Sequence, residues 1–216
     1  MRKIFIITER RADYSRFQPI LDLIKDDPNL DYDLVVTGLH LKEEHGMTIN
    51  EIINDGFEIF STFEMFLEEE DNGASMVRSY AKAVEMVTFE LEKSKPDLIL
   101  SGFDIAANAA VTIAGAHMNI PVAHIQGGEV TGTIDESIRH AVTKLSHFHF
   151  PATSDAKKRI IKMGEPTKYV KKVGCPYIDE INNLKSTSKK ELERKYKLPF
   201  DKRFCIFTQH PVTTEY

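Results

Sequence analysis

The sequence predicts an α/β fold built on a doubly wound parallel sheet. Two observations carry that prediction. Short, near-continuous apolar runs alternate along the chain with segments of helical periodicity, as expected of parallel strands joined by crossover helices. The polar residues collect where those runs end, and ligands of such sheets bind beyond the carboxyl ends of the strands.

The elements follow in order. "KIFIIT" (Lys3–Thr8), "DLVVTG" (Asp33–Gly38), "DLILSG" (Asp97–Gly102) and "IPVAHI" (Ile120–Ile125) read as strands covered on both faces. "FEIFST" (Phe57–Thr62) is a weaker strand signal, and "FHFPAT" (Phe148–Thr153) and "YVKKVG" (Tyr169–Gly174) complete the set. Between them, Asp13–Lys25 carries Phe17, Ile20, Leu21 and Ile24 at helical spacing. Ser75–Ser94 predicts a longer helix that stops before Pro96, and Ala106–Met118 a small-residue helix suited to close packing on the sheet. Ile134–Leu145 places Ile134, Ile138, Ala141 and Leu145 on one stripe. Ser154–Met163 opens on Ser154 as N-cap and stops at Gly164.

From Leu184 to Pro199 the composition turns polar and charged, which predicts a linker and a charged helix; "RFCIFTQ" (Arg203–Gln209) then predicts a fresh strand. A strand there cannot bury both faces alone. The expectation is one domain over residues 1–184, then over 185–216 a linker helix and the first strand of a second α/β domain that is missing from the sequence. An apolar strand without a sheet is also expected to favour a homo-oligomer or strand exchange.

Composition narrows the function. Of 216 residues, 42% are hydrophobic and 28% charged, enough for a core. The net charge of -5 argues against nucleic acid as a partner, which asks for a basic face. No apolar run is long enough to span a bilayer, and Ile4–Ile7 is too short for a secretory core. Cys175 and Cys205 form no CxxC pattern, which fits a reducing cytoplasm.

Two segments carry chemistry. In "ERRADYS", Asp13 or a neighbour caps a helix whose N-terminus attracts anions, and Arg11 and Ser15 suit a phosphate; the competing reading is a capped loop with surface arginines. No GxGxxG or Walker pattern is present. In "HIQGGEVTGTIDESIRH", Gly127 and Gly128 permit close ligand approach and Glu129 sits at a strand mouth. Asp135 and Arg139 share one helix face, Glu136 and His140 an adjacent one. That set suits proton abstraction and delivery, against a competing reading as two surface ion pairs. His147 and His149 alternate on a strand near His140, but no carboxylate or cysteine completes a familiar metal spacing.

"RADYS", "HIQGGEVTGTIDESIRHAVTKLSHFHF", "VGCPYID" and "QHPVTT", in order between Lys3 and Thr214, resemble the hydrolysing UDP-N-acetylglucosamine 2-epimerases of sialic and related nonulosonic acid biosynthesis. The resemblance implies the N-terminal half of a glycosyltransferase-B-like (GT-B) arrangement, two Rossmann-like domains with the active site in their cleft. It implies a UDP-sugar substrate, removal of the C2 proton with elimination of UDP, water addition, and neither metal nor redox cofactor. By position it implies phosphate contacts from Arg11 and Ser15, active-site roles for Asp135 and Arg139, roles within the same motif for Glu129 and His140, and a nucleotide contact from His210.

Two departures stand out. The family's Gly-Asp-Arg after the fourth strand is "SGFDIAAN" here, with Phe103 read at the position of the Asp and Asp104 one residue later as the substitute carboxylate. Gln126 stands where the animal enzyme has a glutamate, and an amide exchanges no proton at neutral pH. With the second domain missing, the 216 residues alone are expected to show no epimerase turnover. The alternatives are a non-catalytic sugar-nucleotide-binding or assembly module, and a glycosyltransferase of similar shape, which the middle motif disfavours.

Overall fold

A computed structural model describes residues 1–66, 72–103, 105–184, 186–197, 203 and 205–208. Six parallel strands form one sheet: β1 (Arg2–Thr8), β2 (Leu30–Thr37), β3 (Ser61–Phe63), β4 (Leu98–Gly102), β5 (Val122–Ile125) and β6 (Phe148–Phe150). Their spatial order is β3-β2-β1-β4-β5-β6. The order reverses between β1 and β4, and a ligand crevice is expected beyond the carboxyl ends of the strands there.

Eight α-helices occur among the described residues, the first five between strands and the last three after β6. They are α1 (Arg11–Asp26), α2 (Ile49–Asn54), α3 (Gly73–Ser94), α4 (Ala106–His117), α5 (Ile134–Leu145), α6 (Ser154–Lys162), α7 (Pro176–Asn183) and α8 (Lys189–Tyr196). Alternate residues of a strand face opposite sides of the sheet. On one side Phe5, Ile7, Val35, Ile99 and Val122 pack with Val87, Leu91 and Val111 of α3 and α4. On the other, Ile6, Leu34, Val36, Ala123 and Ile125 pack with Phe17, Leu21 and Ile24 of α1. Both faces are covered, which is why the strands read as unbroken apolar runs. Each large apolar side chain buried this way contributes roughly 1.5–3 kcal/mol.

Several local expectations change. Tyr169–Gly174 is no strand: Val170 makes an isolated bridge to His149, and only Lys171 and Val173 donate backbone bonds along that edge. β6 is three residues long and meets Pro151, which has no N–H for a ladder. Phe57–Thr62 pairs later than expected, as Ser61–Phe63, because Phe57 packs into the core beside α1. The N-cap of α6 is Thr153 rather than Ser154; its hydroxyl accepts from the Ala156 N–H.

Another concerns α5. Its buried residues are Arg139, Val142 and Thr143, while Ile134, Ala141 and Leu145 are exposed. The helix turns a polar pair inward because both members find partners there. After α8, Arg203 and Cys205–Thr208 lie in no strand, and Ile206 and Phe207 are exposed. No strand of the six-stranded sheet takes them as a neighbour.

Candidate active site

The site is built where strands end. After β1, the Asp13 carboxylate gathers the turn into α1. It accepts from the Thr8 hydroxyl, from the N–H groups of Glu9 and Arg10, and from that of Tyr14, each at 2.9 Å. Burial pushes this carboxyl up to about 7, against the lowering effect of those bonds. Since Thr8 donates to Asp13, its oxygen accepts from His40 Nε2, 2.9 Å away, and His40 Nδ1 accepts from Thr48 at 2.7 Å. Burial holds His40 neutral, with its pKa lowered to about 4. Thr48, His40, Thr8 and Asp13 thus form one directed hydrogen-bond chain under the turn.

The turn presents Arg11 and Ser15 on the first turns of α1. Arg11 is exposed, 3.9 Å from Glu51, and Ser15 donates to the Ala12 carbonyl at 3.2 Å. Asp13 is therefore the residue that shapes this loop, at the third helical position and not as the N-cap.

After β4, Asn108 reaches back from α4. Its Oδ1 accepts the Gly102 N–H at 2.9 Å and its Nδ2 donates to the Ile7 carbonyl at 3.3 Å, tying β4 to β1. Phe103 takes a left-handed backbone, φ 69°. Its ring turns to the α1 side, edge-on to Phe17 at 5.5 Å and 4.8 Å from the Arg16 guanidinium carbon. Asp104 and His210, both expected in the site, lie outside the described residues.

After β5, Gln126 is left-handed at φ 54°, and its N–H donates to the Phe150 carbonyl at 3.0 Å. Its Oε1 is buried without a hydrogen-bond partner among the described residues. Gly128 passes so close to α6 that a Cβ would lie 2.6 Å from the Ala156 carbonyl oxygen, and Arg159 donates to the Gly128 carbonyl. Glu129 follows. Its carbonyl accepts from Arg139 Nη1 at 2.9 Å and its carboxylate from Thr153 Oγ1 at 3.1 Å.

Arg139 is thus turned from the α5 surface into the loop. One turn on, Thr143 donates to the Arg139 carbonyl and accepts from His124 Nδ1 at 3.2 Å. His124 is fully buried and held neutral, its pKa lowered to about 3 chiefly by desolvation. Glu136 Oε2 accepts from the Thr131 and Gly132 N–H groups, which hold its pKa low, and its Oε1 lies 3.9 Å from His140 Nε2. Asp135 is exposed on the first turn of α5.

The structure therefore groups Gln126, Glu129, Arg139 and His140 around the β5–α5 loop and sets Arg11 and Ser15 on α1 along the same sheet edge. His147 accepts the Val122 N–H at 3.2 Å, and His149 lies 3.3 Å from Glu165. Among the described residues no three His, Cys, Asp or Glu side chains cluster to hold a metal ion. A groove of about 280 Å³ lies between α1 and α7, with Ile125 and Phe150 at the ends of β5 and β6 in its lining, and Asp179 is its only ionisable lining residue. Sequence reasoning missed Glu9, Asn108, Thr143 and His124 as architects of the site. Their one signal is a polar residue inside or directly after an apolar run.

The sequence profile of the UDP-N-acetylglucosamine 2-epimerase family matches residues 22–216. The UDP-N,N'-diacetylbacillosamine 2-epimerase (hydrolyzing) of Legionella pneumophila is 37% identical over 215 residues, covering 100% of this chain and 57% of that protein. A UDP-N-acetylglucosamine 2-epimerase of Neisseria meningitidis is 33% identical, covering 100% and 56%. The chain thus spans about half the length of the curated relatives it matches. The crystal structure of UDP-GlcNAc 2-epimerase from Neisseria meningitidis bound to UDP-GlcNAc shares the fold with a TM-score of 0.77 at 21% identity, covering 92% of this chain and 54% of that one. The expected half of a GT-B-like architecture is thereby borne out. With its profile match and its strand-end site, the chain belongs to the UDP-N-acetylglucosamine 2-epimerase family.

Proposed function

We propose that this chain forms one wall of the active site of a hydrolysing sugar-nucleotide 2-epimerase, acting on UDP-N-acetylglucosamine or a diacetylated relative. The observation that carries the reading is the β5–α5 loop, where buried Arg139 is braced on the Glu129 carbonyl at the mouth of a parallel sheet. Elimination of UDP needs a base for the C2 proton, an acid or cation at the departing diphosphate, and later a water. In this reading Arg11 and Ser15 hold phosphate, with His210 from beyond the described residues. Arg139 supplies fixed positive charge. Proton transfer falls to Asp104, Glu129, Asp135 and His140, because Gln126 carries no exchangeable acid proton.

The whole enzyme would have a second Rossmann-like domain closing the cleft, with residues 185–216 leading into it. The product would feed sialic or related nonulosonic acid synthesis in the cytoplasm. No helix among the described residues is long and apolar enough to cross a membrane.

The test has two arms. Calorimetry of the 216-residue chain should detect UDP and UDP-N-acetylglucosamine binding but no turnover. A UDP-release assay on the longest natural protein containing this sequence should show release with UDP-N-acetylglucosamine or its diacetylated 6-deoxy relatives. Binding without turnover on any of them would replace the enzyme by a sugar-nucleotide-binding module.

A further inference from the structure

The turn after β1 holds a carboxyl to which the proposed reaction gives no part. Asp13 is buried beneath the first turn of α1, and its surroundings pull both ways. The Thr8 hydroxyl and three backbone N–H groups favour the ionised form. Burial and the neighbouring Glu9 charge oppose it, and the balance falls at about 7. Glu9 is itself fully buried, accepting from Arg10 Nη2 at 2.6 Å and from the Ala107 N–H of α4 at 2.9 Å. The other ionisable groups of this turn are Arg11, 3.9 Å from Glu51 of α2; Tyr14, whose hydroxyl donates to Asp55 at 2.7 Å; and His40, which burial holds neutral.

Asp13 also has a route to solvent. Thr8 and His40 are fully buried, and Thr48, just before α2, is the half-buried end of their chain. A hydroxyl and a neutral imidazole each donate one proton and accept another, so the chain runs in either direction on the same heavy atoms. With Asp13 ionised, Thr48 donates to His40 Nδ1, His40 Nε2 to Thr8, and Thr8 to Asp13. When a proton arrives from solvent at Thr48, the Thr48 proton passes to Nδ1, the Nε2 proton to Thr8 and the Thr8 proton to Asp13. One proton has then entered and one carboxylate is neutral. The hydroxyls and the ring end uncharged, with the ring in its other tautomer.

Asp13 stands between Arg11 and Ser15 in the segment that holds phosphate in the sugar-nucleotide reading. An anion brought there adds a like charge near the carboxylate and favours its neutral form. We propose that Asp13 is a buried proton site, served by Thr48, His40 and Thr8, and that it takes up a proton when a diphosphate binds the β1–α1 turn. The coupling to diphosphate rests on the sugar-nucleotide reading; the proton site does not. Neutral Asp13 removes a charge that would otherwise repel the ligand.

Infrared titration of the ligand-free chain tests the site. A protonated-carboxyl band that shifts in D2O should titrate between about pH 6 and 8 and be missing from Asp13→Asn. Carbon-13 labelling of aspartate, which moves the band, identifies it should that variant fail to fold. Absence of such a band overturns the site. Calorimetry of UDP binding at pH 8, in two buffers of different ionisation enthalpy, tests the coupling, because the terminal phosphate is already ionised there. A one-unit rise at Asp13 gives uptake of about 0.4 proton per UDP, with none for uridine and none in Asp13→Asn. No uptake by the wild-type chain, or equal uptake in the variant, overturns the coupling. Thr48→Val leaves Asp13 and its four donors in place and cuts the outer link. In stopped flow with a pH-indicator dye, its proton uptake should lag behind UDP binding; uptake in step with binding overturns the relay. A wild-type chain that binds neither UDP nor pyrophosphate overturns the sugar-nucleotide reading and the coupling with it, while the infrared titration still decides the proton site.

Discussion

Gly128→Ala tests whether the β5–α5 loop is held by its packing on α6. Gly128 has φ 81°, a region where an L residue costs about 1–2 kcal/mol. The new methyl would also meet the Ala156 carbonyl oxygen at 2.6 Å and Ile160 Cγ1 at 2.9 Å. The first is backbone inside α6, so the loop has to move, and overpacking of this kind costs about 1–3 kcal/mol more. The sum is about 2–5 kcal/mol. A chain of this size loses about 2–4 °C of melting temperature per kcal/mol, so the variant should melt about 4–20 °C lower. Gly132→Ala is the control. It shares the strained backbone, φ 73°, but its Cβ would meet nothing within 4 Å. Its cost is the strain alone, about 1–2 kcal/mol. Thermal melts by circular dichroism compare the two. Equal losses would show that the contact with α6 does not fix the loop, and the argument that Arg139 meets a preset Glu129 carbonyl would go with it.

Three further outcomes are expected. Asn108→Ala strands the Gly102 N–H and the Ile7 carbonyl; at about 1–3 kcal/mol for each buried unpaired group, urea titration should show a loss of about 2–6 kcal/mol, and a loss below 1 would mean that water replaces the amide. For pH, the folded state keeps His40 neutral to about pH 4 and His124 to about pH 3, whereas an unfolded histidine protonates near 6.5. Lowered folded values mean stability that is present above 6.5 and lost as pH falls. Asp13, raised to about 7 from 3.8, works the other way, contributing stability below 3.8 that is lost as pH rises through 7. Burial lowers His149 as well, so the histidine protons outnumber the single Asp13 proton; stability should fall as pH drops from 6.5 to 5, and stability that is flat or rises on acidification there would refute it. Gln126→Glu places a carboxyl at a buried oxygen, where desolvation raises its pKa; in the turnover assay on the longest natural protein, the pH profile should gain a limb above the ordinary carboxylate range, and an unaltered profile removes position 126 from proton transfer.

The sheet was legible because both its faces are covered. Strands such as Phe5–Ile7 and Leu34–Val36 bury every residue, so the apolar run marks the strand without any need for period. Helix α5 was legible in extent, Ile134–Leu145, yet not in phase. The stripe rule assumes that apolar residues face inward. Arg139 and Thr143 face inward because the Glu129 carbonyl and the His124 ring wait there, and neither partner shows in a local pattern. The same holds for Asp13. It reads as an N-cap, while its four donors come from the strand and the turn before it.

Those misreadings share a cause that bears on function. Three strand-end loops of this edge, after β1, β4 and β5, are tied to a helix by polar groups that are buried except for Arg159: Gly102 by Asn108 of α4, Glu129 by Arg139 of α5, Gly128 by Arg159 of α6, and Glu9 by the first turn of α4. A buried polar group without its partner costs about 1–3 kcal/mol, so each tie makes one loop conformation the stable one. Carbonyls and carboxylates are thereby fixed before a substrate arrives. Groups aimed in advance at developing charge need no reorganisation at the moment of reaction. For an elimination that must release a diphosphate, the rigid wall is the part this chain would contribute.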